Sequence, residues 1–437
     1  MLQTDDARIG LDGPTVTAED GFLTKVMISS MDVRKVIALI GAFYWTIMTV
    51  FVVPGIIAAT FLTVMVPVLC ISVSWFNWLD HKLCRMVNDH WSSAIQIAGI
   101  NIVEYGDDIS KLSEKRVLFL ANHLGLADHF VIMSALRNKG TVVEKYLWVI
   151  YNIWKMTPMG VMWMIHGNYF VDGGTAKRNQ MIEDFKIHLK RNYWKYDHRW
   201  IIMYPEGARL YRIKESNARY AAREGYKIFR HCALPRTGAA HATIETTATA
   251  NYAMVEDTND SLEYVIDCTL GYQNGDIPSI GNWLFGELPN GIPNVAVHYK
   301  IYRIRPEWKN ENMLRHWLYD IYEKKDELLE KYYQSGVFPK DSQHHPTVVR
   351  NSISNCLFVE AFWLLLLYLH YSIWLKSFAS LIYRFVDIKQ TLQVYLITSE
   401  FGLTVVFILN NFKDEFRLFP PVAGGIPCLV KTLRIFP

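Results

Sequence analysis

From Val36 to Trp78 the chain carries no Asp, Glu, Lys or Arg, a run of 43 positions. As helix it would reach about 65 Å, against a hydrocarbon core of roughly 30 Å. One upright crossing is too short to use such a run, whereas two passes fit it. Pro54-Gly55 sits near the middle, where a hairpin would turn. The spacing predicts a membrane hairpin over 36–78, built from two tight crossings or from a re-entrant pair dipping into one leaflet. A single long tilted helix is the competing arrangement. Arg34 and Lys35 precede the run, and Lys82 and Arg85 follow it. Basic residues at both ends place both on the cytosolic side. The polar segment 1–35 then shares that side with the domain after the hairpin. That segment lacks the basic start of a secretory signal, and the sequon Asn259-Asp260-Ser261 is expected to stay unmodified.

Composition leans the same way, with 51% hydrophobic and 14% aromatic residues, while a net charge of +3 is too small to suggest nucleic acid. Six scattered cysteines, with no Cys-x-x-Cys, argue against a disulfide framework and a zinc ribbon. After a bridging segment, 79–115, short apolar runs alternate with helical periodicity. Val117–Leu120, Trp200–Tyr204, Tyr264–Ile266 and Val295–Tyr299 read as strands. Met181, Ile182, Phe185, Leu189 and Tyr193 recur at helical spacing, as do Met313, Trp317, Ile321 and Leu328. Strands alternating with helices predict an α/β domain over 116–335, with a largely parallel sheet flanked by helices. A second apolar stretch, 357–375, contains Glu360 and His370 and reads as a membrane or interfacial helix. The tail from 387 to 437 stays unassigned.

The chemistry concentrates at Ala121-Asn122-His123-Leu124-Gly125-Leu126-Ala127-Asp128, between the strand ending at Leu120 and a helix beginning near Phe130. Active sites of open α/β sheets lie at such carboxyl ends of strands. On a straight helix, side chains five residues apart diverge by about 140°. His123 and Asp128 therefore meet only if the chain bends between them, which Gly125 permits. A carboxylate on one imidazole nitrogen leaves the other free to take a proton. With 14 histidines, a bare His-x4-Asp arises by chance about once. The preceding strand and Asn122 make this one informative.

A second constellation, Tyr204-Pro205-Glu206-Gly207-Ala208-Arg209, follows another buried strand. Such a turn offers backbone N–H groups and a guanidinium fork to an anion. The basic residues beyond it, from Arg212 to Arg230, read mainly as a solvated helix face. Gly167–Asp172 reads as an ordinary strand, and Leu234-Pro235-Arg236-Thr237-Gly238 sets another arginine at a turn.

In order and spacing these blocks resemble the glycerolipid acyltransferase family, whose first motif is Asn-His-x4-Asp and whose third is Pro-Glu-Gly-(Thr)-Arg. His166–Phe170, Leu234–Ala239 and Gly336-Val337-Phe338-Pro339 look most like its lysophosphatidylglycerol acyltransferase branch. The resemblance covers roughly residues 35–385. It departs at Ala208, where the family usually has Thr, and after Ile388 it matches nothing. It implies acyl transfer from acyl-CoA to the free hydroxyl of a lysophospholipid at an endoplasmic reticulum membrane, with no cofactor beyond that co-substrate. His123 would act as general base and Asp128 would orient it. Asn122 or nearby N–H groups would stabilise the oxyanion, while Glu206, Gly207 and Arg209, with Arg236, would hold the lipid phosphate. No Gly-x-Ser-x-Gly elbow is present, so direct transfer is expected. Competing readings are a 1-acylglycerol-3-phosphate acyltransferase, a non-catalytic membrane-anchored lipid binder, and a hydrolase using His123, Asp128 and His129 as metal ligands. The third lacks a supporting His-Glu-x-x-His cluster.

Overall fold

A computed structural model describes residues 36–380, leaving aside 37–38, 99, 173–177, 249–260, 286–293, 340–344, 351 and 378–379. The polar segment 1–35, Asn259 and Asp260 of the sequon, and the tail beyond 380 lie outside the described residues.

The charge-free run does not turn at Pro54-Gly55. It forms one apolar helix, α1, Leu39–Ile71. Two π-helical stretches interrupt it, Met48–Val52 and Phe61–Met65, and Pro54 and Pro67 follow them in the first turn of each α-helical piece. Proline lacks an N–H and crowds the carbonyl four residues back, and a widened turn absorbs both defects. The break comes instead at Ser72, whose backbone is extended (φ −155°, ψ 120°). Its hydroxyl accepts from the Trp75 N–H and opens α2, Val73–Ile97. The arms run antiparallel and meet again where Thr49 Oγ1 and His90 Nε2 lie 3.0 Å apart. The expected hairpin thus reverses eighteen residues later, and its second arm is amphipathic. Part of the expected bridging segment is that arm.

The remainder follows in chain order: β1 Asn101–Gly106, β2 Arg116–Ala121, α3 Asp128–Leu136, β3 Tyr146–Tyr151, α4 Pro158–Ile165, β4 Tyr169–Val171, α5 Arg178–His188, β5 Trp200–Met203, α6 Leu210–Glu224, α7 Gly238–Thr247, β6 Leu262–Tyr272, α8 Ile280–Leu284, β7 Asn294–Arg303, α9 Glu311–Ser335, β8 Thr347–Val348 and α10 Ile353–His370. The sheet has the order β4-β3-β5-β2-β6-β7-β1-β8. Pairings from β4 through β6 are parallel, as is β7 with β1; β6–β7 and β1–β8 are antiparallel. The α/β class and the predominance of parallel pairs match expectation. The sheet, however, begins at Asn101, upstream of the expected boundary at 116.

Alternation along β2 builds the layers. Val117, Phe119 and Ala121 face a core shared with α1–α4, while Leu118 and Leu120 face one shared with α5, α7 and α9. With both faces covered, β2 is buried throughout, which is why it reads as a continuous apolar run. The C-terminal helix α10 packs on α1 and α2. Glu360, the charge that made this segment ambiguous, accepts from Tyr44 Oη (2.9 Å) and sits 2.7 Å from His90 Nδ1. Most of the remaining surface of α10 is exposed and apolar.

Candidate active site

The peptide leaves β2 at Ala121 and crosses the loop 122–127. It enters α3 at Asp128, so the bend needed to join His123 with Asp128 is the strand-to-helix junction itself. His123 Nδ1 lies 2.8 Å from Asp128 Oδ2. The same oxygen accepts the N–H groups of Leu124 (2.6 Å) and Gly125 (2.9 Å). Asp128 is fully buried, and its place in the first turn of α3 favours a negative charge. Facing a carboxylate, Nδ1 carries the proton, which leaves the Nε2 lone pair as a base. Among the described residues no group bonds Nε2. A Cβ at Gly125 would come within 2.5 Å of the Ile277 side chain, which would have to shift to admit one.

The imidazole lies flat on the ring of Tyr204, with centroids 4.2 Å apart and planes 18° from parallel. Tyr204 Oη lies 3.2 Å from His129 Nδ1. Burial, with the charges of His123 and Arg209, pushes His129 down to about 3, so it is neutral and accepts from the phenol. The His129 ring stacks on Trp148, with centroids 4.7 Å apart. His129 thus belongs to an aromatic wall beside the dyad, and the metal-ligand trio is not assembled. Among the described residues no three His, Cys, Asp or Glu side chains converge on a metal position.

Two expected substrate-binding residues have other duties. The Asn122 amide is wholly buried and bonds β6 twice, donating to Leu270 O (2.9 Å) and accepting from Leu270 N (2.7 Å). It cannot also face an oxyanion. The N–H groups of His123, Leu124 and Gly125 are occupied as well. Glu206 is likewise buried. One oxygen accepts the His123 N–H and the other the Ala233 N–H, both at 3.0 Å. Burial pushes its carboxyl up to about 8, against the downward pull of those two donors. Glu206 therefore clasps the loop 122–127 to the segment before α7 and is not available to a lipid phosphate.

Gly207 has φ +74°, and the Arg236 side chain occupies the space a Cβ would need, with Cδ 3.3 Å away. The Arg236 N–H donates to Pro205 O (2.8 Å), which holds the two turns together. Arg236 is an exposed residue overall, but partial burial of its guanidinium, with the like charge of Arg178, lowers its proton affinity. Arg209 caps α6 and lies over the Tyr211 ring at 5.3 Å. Among the described residues no carboxylate pairs with Arg178, Arg209 or Arg236, so this face keeps its positive charge. Further along, Arg219, Arg223, Lys227 and Arg230 form exposed ion pairs, as a solvated face should.

Sequence reasoning did not reach Tyr272, the last residue of β6, whose hydroxyl donates to Asp128 Oδ1 at 2.7 Å. It lies 144 residues away with no local pattern to mark it. A separate cavity of about 410 Å³, lined by Glu104, Asp107, Lys139 and Tyr299 among others, opens at the end of β1. Since β1 runs antiparallel to β2, it lies at the opposite end of the sheet from His123.

Residues 101–256 match the protein family described as Acyltransferase, and residues 290–363 match the one described as Acyltransferase C-terminus. A Caenorhabditis elegans protein, acl-12, named as a candidate 1-acyl-sn-glycerol-3-phosphate acyltransferase, is 39% identical over 86% of this chain and 95% of its own length. The Mus musculus protein named acyl-CoA:lysophosphatidylglycerol acyltransferase 1 is 30% identical over 63% of this chain and 77% of its own. The solved 1-acyl-sn-glycerophosphate acyltransferase PlsC of Thermotoga maritima aligns with 68% of this chain and 99% of its own, at 14% identity and a TM-score of 0.39.

Proposed function

Because the chain belongs to the glycerolipid acyltransferase family, we propose that it moves an acyl chain from acyl-CoA to the free hydroxyl of a lysophospholipid. The observation that carries this reading is the dyad: buried Asp128 fixes Nδ1 of the partly exposed His123 at 2.8 Å, and among the described residues no group bonds Nε2. In the reaction, Nε2 takes the hydroxyl proton as the lipid oxygen attacks the thioester carbon. The C–O bond forms, the C–S bond breaks, and the proton passes from His123 to the departing thiolate, giving free CoA. Asp128 holds the imidazolium during transfer. Arg209 and Arg236, cations without carboxylate partners on the same face, would meet the acceptor's phosphate. No cofactor beyond acyl-CoA is called for.

The mouse relative's name supports lysophosphatidylglycerol as acceptor, with lysophosphatidylinositol and lysophosphatidylethanolamine as further members of the class. The worm relative's name favours 1-acylglycerol-3-phosphate instead. Acyl-CoA transfer assays on membranes, run against all four acceptors, separate them. Transfer to none of them would leave a lipid-binding protein.

Two helices, Leu39–Ile71 and Ile353–Trp374, are long and apolar enough to cross a membrane. The first is covered along one side by α2, which carries Asp80, Lys82, Arg85 and Asp89. An upright crossing would drag those charges through hydrocarbon, at several kcal/mol each. In our reading α1 lies along the endoplasmic reticulum membrane on its cytosolic face, with its exposed stripe Leu39, Ile40, Phe43, Ile47 and Phe51 in lipid. Cytosolic acyl-CoA and bilayer-borne lysolipid then reach one site.

A further inference from the structure

Asp128 must stay ionised and hold one orientation while buried. Its Oδ2 is saturated by three donors, His123 Nδ1 and the N–H groups of Leu124 and Gly125. Its Oδ1 accepts from the Tyr272 hydroxyl, at 2.7 Å. A partial rotation of the carboxylate would swing Oδ2 out of line with those three donors. The Tyr272 hydroxyl holds it against that rotation.

The tie is built into the fold. Tyr272 ends β6, the strand paired with β2, and two residues earlier Leu270 grips Asn122 through both backbone groups. The loop 122–128 is thus fastened to β6 at each end, by Asn122 at its start and by Asp128 at its finish. Tyr272 is fully buried, and burial together with the negative Asp128 raises its phenol well above the ordinary value. It remains an O–H donor throughout the working pH range. The other titratable or charged groups around the dyad are His129 on α3, Tyr204, Glu206 and Arg209 from β5 and its turn, Cys268 on β6, and Tyr333 on α9. Among the described residues none of these is seen to donate to Oδ1.

We propose that Tyr272 is a positioning residue for the His123–Asp128 dyad, acting through Oδ1 of Asp128 to set both the angle of the carboxylate and its basicity toward the imidazole. The inference rests on the acyl-transfer reading. Removing the hydroxyl concentrates negative charge on Asp128, which draws a proton more strongly onto His123. Tyr272→Phe keeps the ring and should lower kcat about tenfold, as loss of one bond to a charged group does. Both KM values should stay within about twofold. The acid limb of kcat/KM should move to higher pH, which a packing defect alone would not cause. In an Asp128→Asn background the same change should cost little more, because both substitutions act on one interaction.

The assay uses full-length protein in membranes, a long-chain acyl-CoA and the best acceptor of the panel, with His123→Ala as the blank. If Tyr272→Phe accumulates poorly, 3-fluorotyrosine at position 272, a stronger donor of the same shape, should move the acid limb to lower pH. An unmoved limb, or a fully additive loss in the double variant, overturns the proposal. Wild-type transfer abolished by His123→Ala but unchanged in Tyr272→Phe overturns it while the acyl-transfer reading stands. A wild type that transfers nothing removes both.

Discussion

Glu206→Gln tests whether the third motif's carboxylate serves the fold or the substrate. Both oxygens accept backbone N–H groups at 3.0 Å, from His123 and from Ala233. Protonated or not, a carboxyl offers a lone pair to each of these donors. An amide NH2 offers none, so the substitution leaves one buried N–H facing another donor. Leaving such a group unsatisfied costs about 1–3 kcal/mol. The loss falls on the backbone of His123 or on the loop before α7. We expect the melting temperature in detergent to fall by several degrees. Turnover should fall with it, since a small displacement of His123 is felt strongly at the reacting atoms. Kinetics with both substrates varied would accompany the melts. If Glu206 bound the lipid headgroup directly, melting would be unchanged and only the acceptor KM would rise. That result would refute the reasoning.

Two further outcomes follow from the same residues. The Glu206 carboxyl is raised by burial from an ordinary 4.5 to about 8, so the folded protein binds that proton more tightly than the unfolded chain. Its contribution to stability is full below about 4.5 and is lost as pH climbs through 8. Melts between pH 5 and 9 should show a decline that is smaller in Glu206→Gln; equal slopes would contradict it. Arg209→Ala should raise the apparent KM for lysophospholipid several-fold and change that for acyl-CoA less. The reverse pattern would assign Arg209 to CoA.

What the sequence disclosed was local. His123 and Asp128 sit on one short loop after an unmistakably buried strand, so their meeting follows from five residues and a bend. The Pro-Glu-Gly turn after β5 was legible for the same reason. What it concealed is decided at long range. Asn122 is claimed by Leu270, 148 residues on, and Glu206 by two loops, so both look like ligand groups until their partners are seen. Pro54-Gly55 reads as a turn by ordinary rules, yet π-helical widening carries the helix through, and the weaker signal at Ser72 makes the break. Glu360 looked out of place in an apolar stretch because its partners, His90 and Tyr44, lie some 270 and 316 residues away. β1 was hidden in a stretch that reads as a connector, and its place in the sheet is fixed by pairing with β7.

The central claim is that His123 Nε2 is the base, and turnover of His123→Ala measures it most directly. Folded protein in membranes should match wild type, because the ring is partly exposed and, among the described residues, its side chain hydrogen-bonds to Asp128 alone. Acyl transfer from acyl-CoA to the preferred lysophospholipid should fall by about 10² or more. Transfer at near the wild-type rate, from an equal amount of folded protein, would contradict the account.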